Sequence, residues 1–162
     1  MFLKQGDIFW GTSRAFNKEI MKITSKKSFP AGVTLFREGQ AATAFYILIR
    51  GCVNIRIGEA GDTVYTVSHA GEAFGWSSLI DRPTYSASAE CTLPTTLLVV
   101  GRDQFAPILE KYALDGQIFF KKLAGTLGQR LLRSYTAIAS APRTALSVSY
   151  GTGQVIEAAA EV

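Results

Sequence analysis

Histidine occurs once in these 162 residues and cysteine twice, too few for the usual zinc sites without help from carboxylates. No stretch approaches the ~18 uninterrupted apolar residues of a membrane-spanning helix, so a helical membrane protein is not expected. The first residues, Met1-Phe2-Leu3-Lys4-Gln5-Gly6-Asp7, carry an early acid and no apolar core followed by small residues. They do not read as a secretory signal, and the expected localisation is cytoplasmic. Cys52 and Cys91 each sit in an apolar alternating segment, which suits buried free thiols better than a disulfide in that compartment. Charge is sparse, at 19% of residues, and the net +4 comes from 17 basic and 13 acidic side chains scattered in ones and twos. The densest basic run, Lys22 to Lys27, reads as a solvated helix end rather than a nucleic-acid patch.

What is present is apolar: 48% of residues are hydrophobic, enough to build one folded domain with a real core. From Gly11 to Ile23 the spacing of Phe16, Ile20 and Ile23 predicts a helix, with Thr12 or Ser13 as its N-cap. A Pro30-Ala31-Gly32 turn then opens a strand through Phe36. Phe45-Tyr46-Ile47-Leu48-Ile49 reads as a strand closed by Gly51, and Val53, Ile55 and Ile57 alternate as the next. Gly58 to Asp62 is a hairpin signal, with Val64 to Val67 returning. Ala87 to Thr92 and Thr96 to Val100 follow, divided by Pro94. Short strands with turns every 8–12 residues or so predict a sandwich or barrel. After Gly101 the period becomes helical again: Asp103 is placed to cap a helix carrying Phe105, Ile108 and Leu109. A longer helix is predicted from Leu114 to about Ile138, with Leu123, Leu127, Leu131 and Tyr135 at four-residue spacing. Gly116, Gly125 and Gly128 each weaken it by ~1 kcal/mol, so packing must support it. No solenoid repeat is visible.

Several ordered motifs carry a resemblance. Phe29-Pro30-Ala31-Gly32-Val33-Thr34-Leu35-Phe36-Arg37-Glu38-Gly39 is similar to the opening strand and turn of the cyclic nucleotide-binding domain family. Phe45-Tyr46-Ile47-Leu48-Ile49-Arg50-Gly51-Cys52-Val53 resembles its aromatic–Ile–x–x–Gly–x–Val strand pair. Gly71-Glu72-Ala73-Phe74-Gly75 followed by Ser78-Leu79-Ile80 resembles the start of its phosphate-binding cassette, and Arg102-Asp103-Gln104-Phe105 its entry to the C-terminal helices. The resemblance, to the sensor domain of the catabolite activator and protein kinase A regulatory subunit type, covers about residues 9–138. It implies a mainly β fold: an antiparallel, jelly-roll-like β-roll of about eight strands, opened by one helix and closed by two or three. The roll is expected over about 28–101, the C-terminal helices over about 103–138, and a weakly ordered tail over 139–162. The sequence does not continue into the helix-turn-helix domain of the bacterial regulators, so no DNA-binding domain is expected.

A cyclic phosphate inside a roll must be met by backbone N–H groups and a cation. Phe74-Gly75-Trp76-Ser77-Ser78 can supply a tight turn into a short helix, whose N–H groups and dipole favour an anion. In the family a Glu after Phe–Gly holds the ribose and an Arg further along holds the phosphate. Here those positions are Trp76 and, counted without gaps to Ser86-Ala87-Ser88-Ala89, Tyr85. Trp76 reads equally as a stacking wall for a ligand ring or as a plug. Tyr85 hydrogen-bonds a phosphate or fills space, and filling is the expectation. Arg82 is read as an exposed loop residue, with a swing into the site as the alternative. The candidate ligand-binding set is Phe74, Gly75, Trp76, Ser77, Ser78, Arg82, Tyr85, Ser86 and Ala87. Its ligand would be a cyclic nucleotide or another small anion, with ordinary cyclic AMP or GMP binding expected weak or absent.

No nucleophile elbow, Walker loop, Gly-x-Gly-x-x-Gly or paired carboxylates beside a base occurs, and one histidine cannot build a cupin-type metal site. The chain therefore reads as a non-enzymatic regulatory or sensory module in which ligand binding moves the C-terminal helix. The competing reading is an interaction domain whose roll binds nothing. The long helix carries more apolar surface than one roll can cover, Phe119, Phe120, Leu132 and Ile138 lying off its main stripe. This predicts a homodimer through that helix, with a protein partner regulated in trans as a further expectation.

Overall fold

In a computed structural model that describes residues 8–140, the chain forms α1 (Arg14–Ile23), β1 (Thr24–Phe29), β2 (Thr34–Phe36), β3 (Ala44–Arg50), β4 (Val53–Ile57), β5 (Asp62–Val67) and β6 (Ala73–Phe74). A short 3-10 helix (Trp76–Leu79), β7 (Ser88–Cys91), β8 (Thr95–Gly101), α2 (Arg102–Lys111) and α3 (Ala113–Ser140) follow. The strands make two antiparallel four-stranded sheets, in the orders β1-β8-β3-β6 and β2-β7-β4-β5. This is the β-roll with one helix before it and two after it. The chain divides into a unit through Gly125 and a second from Thr126 onward.

The run Phe45 to Ile49 is apolar without a break because β3 is covered on both faces. Successive side chains point to opposite sides. Phe45 meets Phe105 of α2 and Phe119 of α3, with ring centroids 5.2 and 6.0 Å apart. Tyr46 meets Phe36 and Phe74 inside the roll. A helix-side core of Phe9, Phe16, Phe45, Phe105 and Phe119 and a roll core around Leu48, Val53, Val67, Ala89, Cys91 and Leu97 thus share one strand.

Ser13 is the N-cap of α1, its hydroxyl accepting from the Phe16 N–H; the same hydroxyl donates to Asp115 at 2.8 Å, which ties the start of α1 to the first turn of α3. The lysine run is not one helix end. The helix stops at Ile23, the Thr24 hydroxyl donates to the Ile20 carbonyl, and Thr24 is already extended. Lys26 and Lys27 therefore lie on β1, paired with Leu98 and Leu97 of β8, where charge on an outer strand discourages further pairing. The roll accordingly begins at residue 24 rather than 28. Asp103 does not cap α2. The helix runs straight on from β8 with Gly101 at the cap position, and the Arg102 N–H is taken by the Thr43 carbonyl at 2.8 Å. Asp103 instead adds a negative charge to the first turn, where the helix dipole favours it. Cys91 is buried and Cys52 half-buried, both free thiols. The last helix continues through Ser140, and the tail expected beyond it lies from residue 141 outside the described residues.

Gly51 joins β3 to β4 at φ 108°, and a Cβ there would lie 2.6 Å from Thr95 Cα and 2.7 Å from the Pro94 carbonyl oxygen. Gly51→Ala is expected to lose roughly 2–4 kcal/mol, combining left-handed strain with overpacking. Gly58, at φ 76° with nothing within 4 Å of a built Cβ, should lose only about 1 kcal/mol as Gly58→Ala. Urea unfolding of the two variants checks this, and equal losses would contradict the role given to the Thr95 contact.

Candidate functional site

The cassette is the stretch from the Gly71 turn to β7. Phe74 ends β6 fully buried, and Gly75 turns the chain at φ 77° into the 3-10 helix. A side chain at Gly75 would be both strained and crowded: at this φ a Cβ would sit 3.1 Å from the Tyr46 ring and 3.2 Å from the Ala44 carbonyl oxygen. Trp76 is half-buried at the first position of the short helix, followed by buried Ser77 and Ser78. The Ser78 N–H and hydroxyl both turn back on the Gly75 carbonyl, at 3.2 and 3.0 Å. The Ser77 hydroxyl accepts from the Ser86 N–H and lies 3.3 Å from the Ser86 hydroxyl. The structure therefore brings Ser77 and Ser86 together across the loop. Ala87 is half-buried beside them, before β7.

Tyr85 is 4% exposed and points into the roll. Its ring stacks on Phe36 with centroids 3.8 Å apart and planes 17° apart. Phe36 stacks in turn on Tyr46, and Tyr46 on Phe74 at 5.2 Å. The Tyr85 hydroxyl donates to the Ala44 carbonyl at 2.7 Å and accepts from the Ala44 N–H at 3.1 Å. Both bonds are buried, so the phenol's donor and acceptor are spent on the end of β3. Arg82 is exposed, and the part of it that joins the network is its carbonyl, which accepts from Arg102 Nη1 at 3.2 Å. His69 is exposed; its N–H donates to the Glu72 carboxylate, which also accepts from Ser68 N–H and the Tyr65 hydroxyl. Glu72 thereby fixes the turn that leads into β6.

All the cassette side chains that turn inward, Phe74, Ser77, Ser78 and Tyr85, are neutral. Burial first, and then the adjacent Tyr85 hydroxyl, hold the Tyr46 phenol above its ordinary range. Burial likewise pushes the Cys91 thiol up. Four contributors were not visible as site residues in the sequence: Phe36, Tyr46, Ala44 and Arg102. The alternation along β3 was the available signal for Tyr46, because it places Tyr46 and Leu48 on the roll face. Ala44 acts through its backbone, which leaves no side-chain signal.

The raised Tyr46 value fixes the sign of an alkaline effect. An unfolded tyrosine ionises near pH 10, while folded Tyr46 keeps its proton. The stability gained from the neutral phenol is thus complete below about pH 10 and is lost as the pH climbs above it. Denaturant unfolding from about pH 8 to about pH 11 should show this decline, and Tyr46→Phe should flatten it. An unchanged slope in the variant would contradict the assignment.

The fold has counterparts among known proteins. Over 139 residues the chain is 28% identical to the CRP-like cAMP-activated global transcriptional regulator of Mycobacterium tuberculosis, covering 85% of this chain and 60% of that protein. The chain thus spans about 60% of that relative's length. Among solved structures, a cyclic nucleotide-binding domain from Methylobacillus flagellatus superposes with a TM-score of 0.74 at 25% identity, over 88% of this chain and 83% of that one. The sensor domain of the transcriptional regulator DNR from Pseudomonas aeruginosa gives a TM-score of 0.61 at 25% identity, over 73% of this chain and 85% of that one. The family model for the cyclic nucleotide-binding domain matches residues 26–112, from β1 to the end of α2. The chain belongs to the cyclic nucleotide-binding domain family.

Proposed function

We propose that this chain is a non-enzymatic, cytoplasmic regulatory module in which the roll's own aromatic side chains stand where a cyclic nucleotide would be held. Cyclic AMP and GMP are then not its ligands. The observation that carries this reading is Tyr85. It stands where the resemblance puts the phosphate-binding arginine, and its hydroxyl is committed to Ala44 in a buried pair of hydrogen bonds. Trp76, in the position of the ribose-binding acid, offers no carboxylate. An anion entering this roll would lose its water without gaining a charged donor. Each missing charge-assisted contact costs on the order of 1.5–3 kcal/mol, about tenfold to a hundredfold in affinity.

The module's output, on this reading, passes through α3 to a second copy of the chain. In the unit that begins at Thr126, Leu131, Leu132, Tyr135 and Ile138 are 50%, 59%, 57% and 61% exposed. Leu131, Tyr135 and Ile138 follow one another at four- and three-residue spacing, one face of a helix. Earlier in α3, Phe119 and Leu123 are buried and Leu127 is half-buried, while Leu114 and Phe120 are exposed singly. On this reading the homodimer seam lies in the last turns rather than along the whole stripe.

Two measurements test these readings. Isothermal calorimetry with cyclic AMP and with cyclic GMP should give no binding heat at tens of micromolar nucleotide, and a submicromolar Kd would overturn the first reading. Light scattering should give twice the 17.5 kDa chain mass, and Leu131→Glu should halve it while leaving the circular dichroism of the roll unchanged. A monomer at tens of micromolar would overturn the second.

A further inference from the structure

The Tyr85 bonds belong to a closed circuit of contacts. The Tyr85 hydroxyl holds Ala44 through both its N–H and its carbonyl. One residue earlier, the Thr43 carbonyl accepts the Arg102 N–H at 2.8 Å, where α2 begins. The guanidinium of the same Arg102 donates from Nη1 to the Arg82 carbonyl at 3.2 Å. From Arg82 the chain leads back to Tyr85. Within that loop the Ala42 N–H donates to the Pro83 carbonyl at 2.9 Å and the Tyr85 N–H to the Gln40 carbonyl at 2.8 Å, while the Tyr85 carbonyl accepts from Gly39 N–H at 3.0 Å. Thr84 also forms a bridge with Ala41.

Resting on the reading that no cyclic nucleotide enters the roll, we propose that Tyr85 and Arg102 form a built-in latch. It fixes the cassette loop to the entry of α2 with no ligand present. Its two ends differ in character. Tyr85 is the buried anchor, held by ring stacking and two hydrogen bonds in a place closed to water. Arg102 is half-buried and bonds the loop from the helix side, so it is the positioning residue that carries a displacement of α2 into the loop. Because the circuit is closed, releasing either end loosens the other. A partner that pulls on α2 would open the cassette, and an event that opens the cassette would free the first turn of α2.

Residue-resolved amide exchange on the full chain tests this. Tyr85→Phe keeps the stacked ring and removes only the hydroxyl. It should speed exchange at Ala44 by at least tenfold, and also at Arg102, whose N–H never touches Tyr85. Arg102→Gln, which keeps the backbone N–H and removes only the guanidinium, should speed exchange at Tyr85 and Ala42 by several-fold. In both variants the β4–β5 hairpin should keep its protection. If Tyr85→Phe affects Ala44 but leaves Arg102 unchanged, or if Arg102→Gln leaves Tyr85 and Ala42 unchanged, the latch is wrong. A uniform rise including β4–β5 would also overturn it, since it would mark general loosening. Calorimetry with cyclic AMP reports separately on the underlying reading: nucleotide binding would remove that reading without altering what exchange says about the circuit.

Discussion

A buried phenol must spend both its proton and its lone pairs, and Tyr85 spends them on one residue, Ala44. Much around the cassette follows from that choice. With the hydroxyl fixed at the end of β3, the ring has to lie along the roll's inner wall, where it meets Phe36 at 3.8 Å. The ring of Phe36 then orders Tyr46 and Phe74 behind it. Glycine suits position 75 because the chain turns there at a left-handed φ and passes close to Ala44 and Tyr46. The rings and hydroxyls that turn inward here are neutral, and on the proposed reading such an interior disfavours a small anion that lacks a cationic partner.

The same strand explains how the roll and its helices act together. Its odd and even side chains belong to different cores, Phe45 to the helices and Tyr46 to the roll. Displacing β3 would disturb both packings at once. Residues at its start, Thr43 and Ala44, are where the loop and α2 converge. On the proposed reading, a signal needs no long pathway between loop and helix, only a short strand end that the two elements hold in common.

The fold was legible because its signals are local and repeated. Alternation in β4, the glycines at 58 and 61, and the helical spacing of Phe16 and Ile20 each act through a few neighbouring residues. Element boundaries were less legible where a competing preference won: Thr24 opens a strand because β8 pairs with it, and the helix-end reading of the lysines could not foresee that partner. In the sequence, the resemblance puts Trp76 and Tyr85 at the two charged positions of the cassette. How the fold holds Tyr85 was not legible there. The clamp on Ala44 and the bond from Arg102 to the Arg82 carbonyl both use backbone atoms, which every residue carries, so composition and spacing hold no trace of them.

The proposed function depends most directly on whether the roll is already full. Titrating the isotopically labelled chain with cyclic AMP and following backbone amide shifts addresses this directly. The amides of Gly75, Ser77 and Ser86 lie in the candidate cassette and serve as reporters of any ligand that enters it. They are expected to stay unmoved up to millimolar nucleotide, with Ala44 as well protected as before. Saturable shifts at those amides in the micromolar range, together with release of Ala44, would mean that Tyr85 yields its place to a ligand.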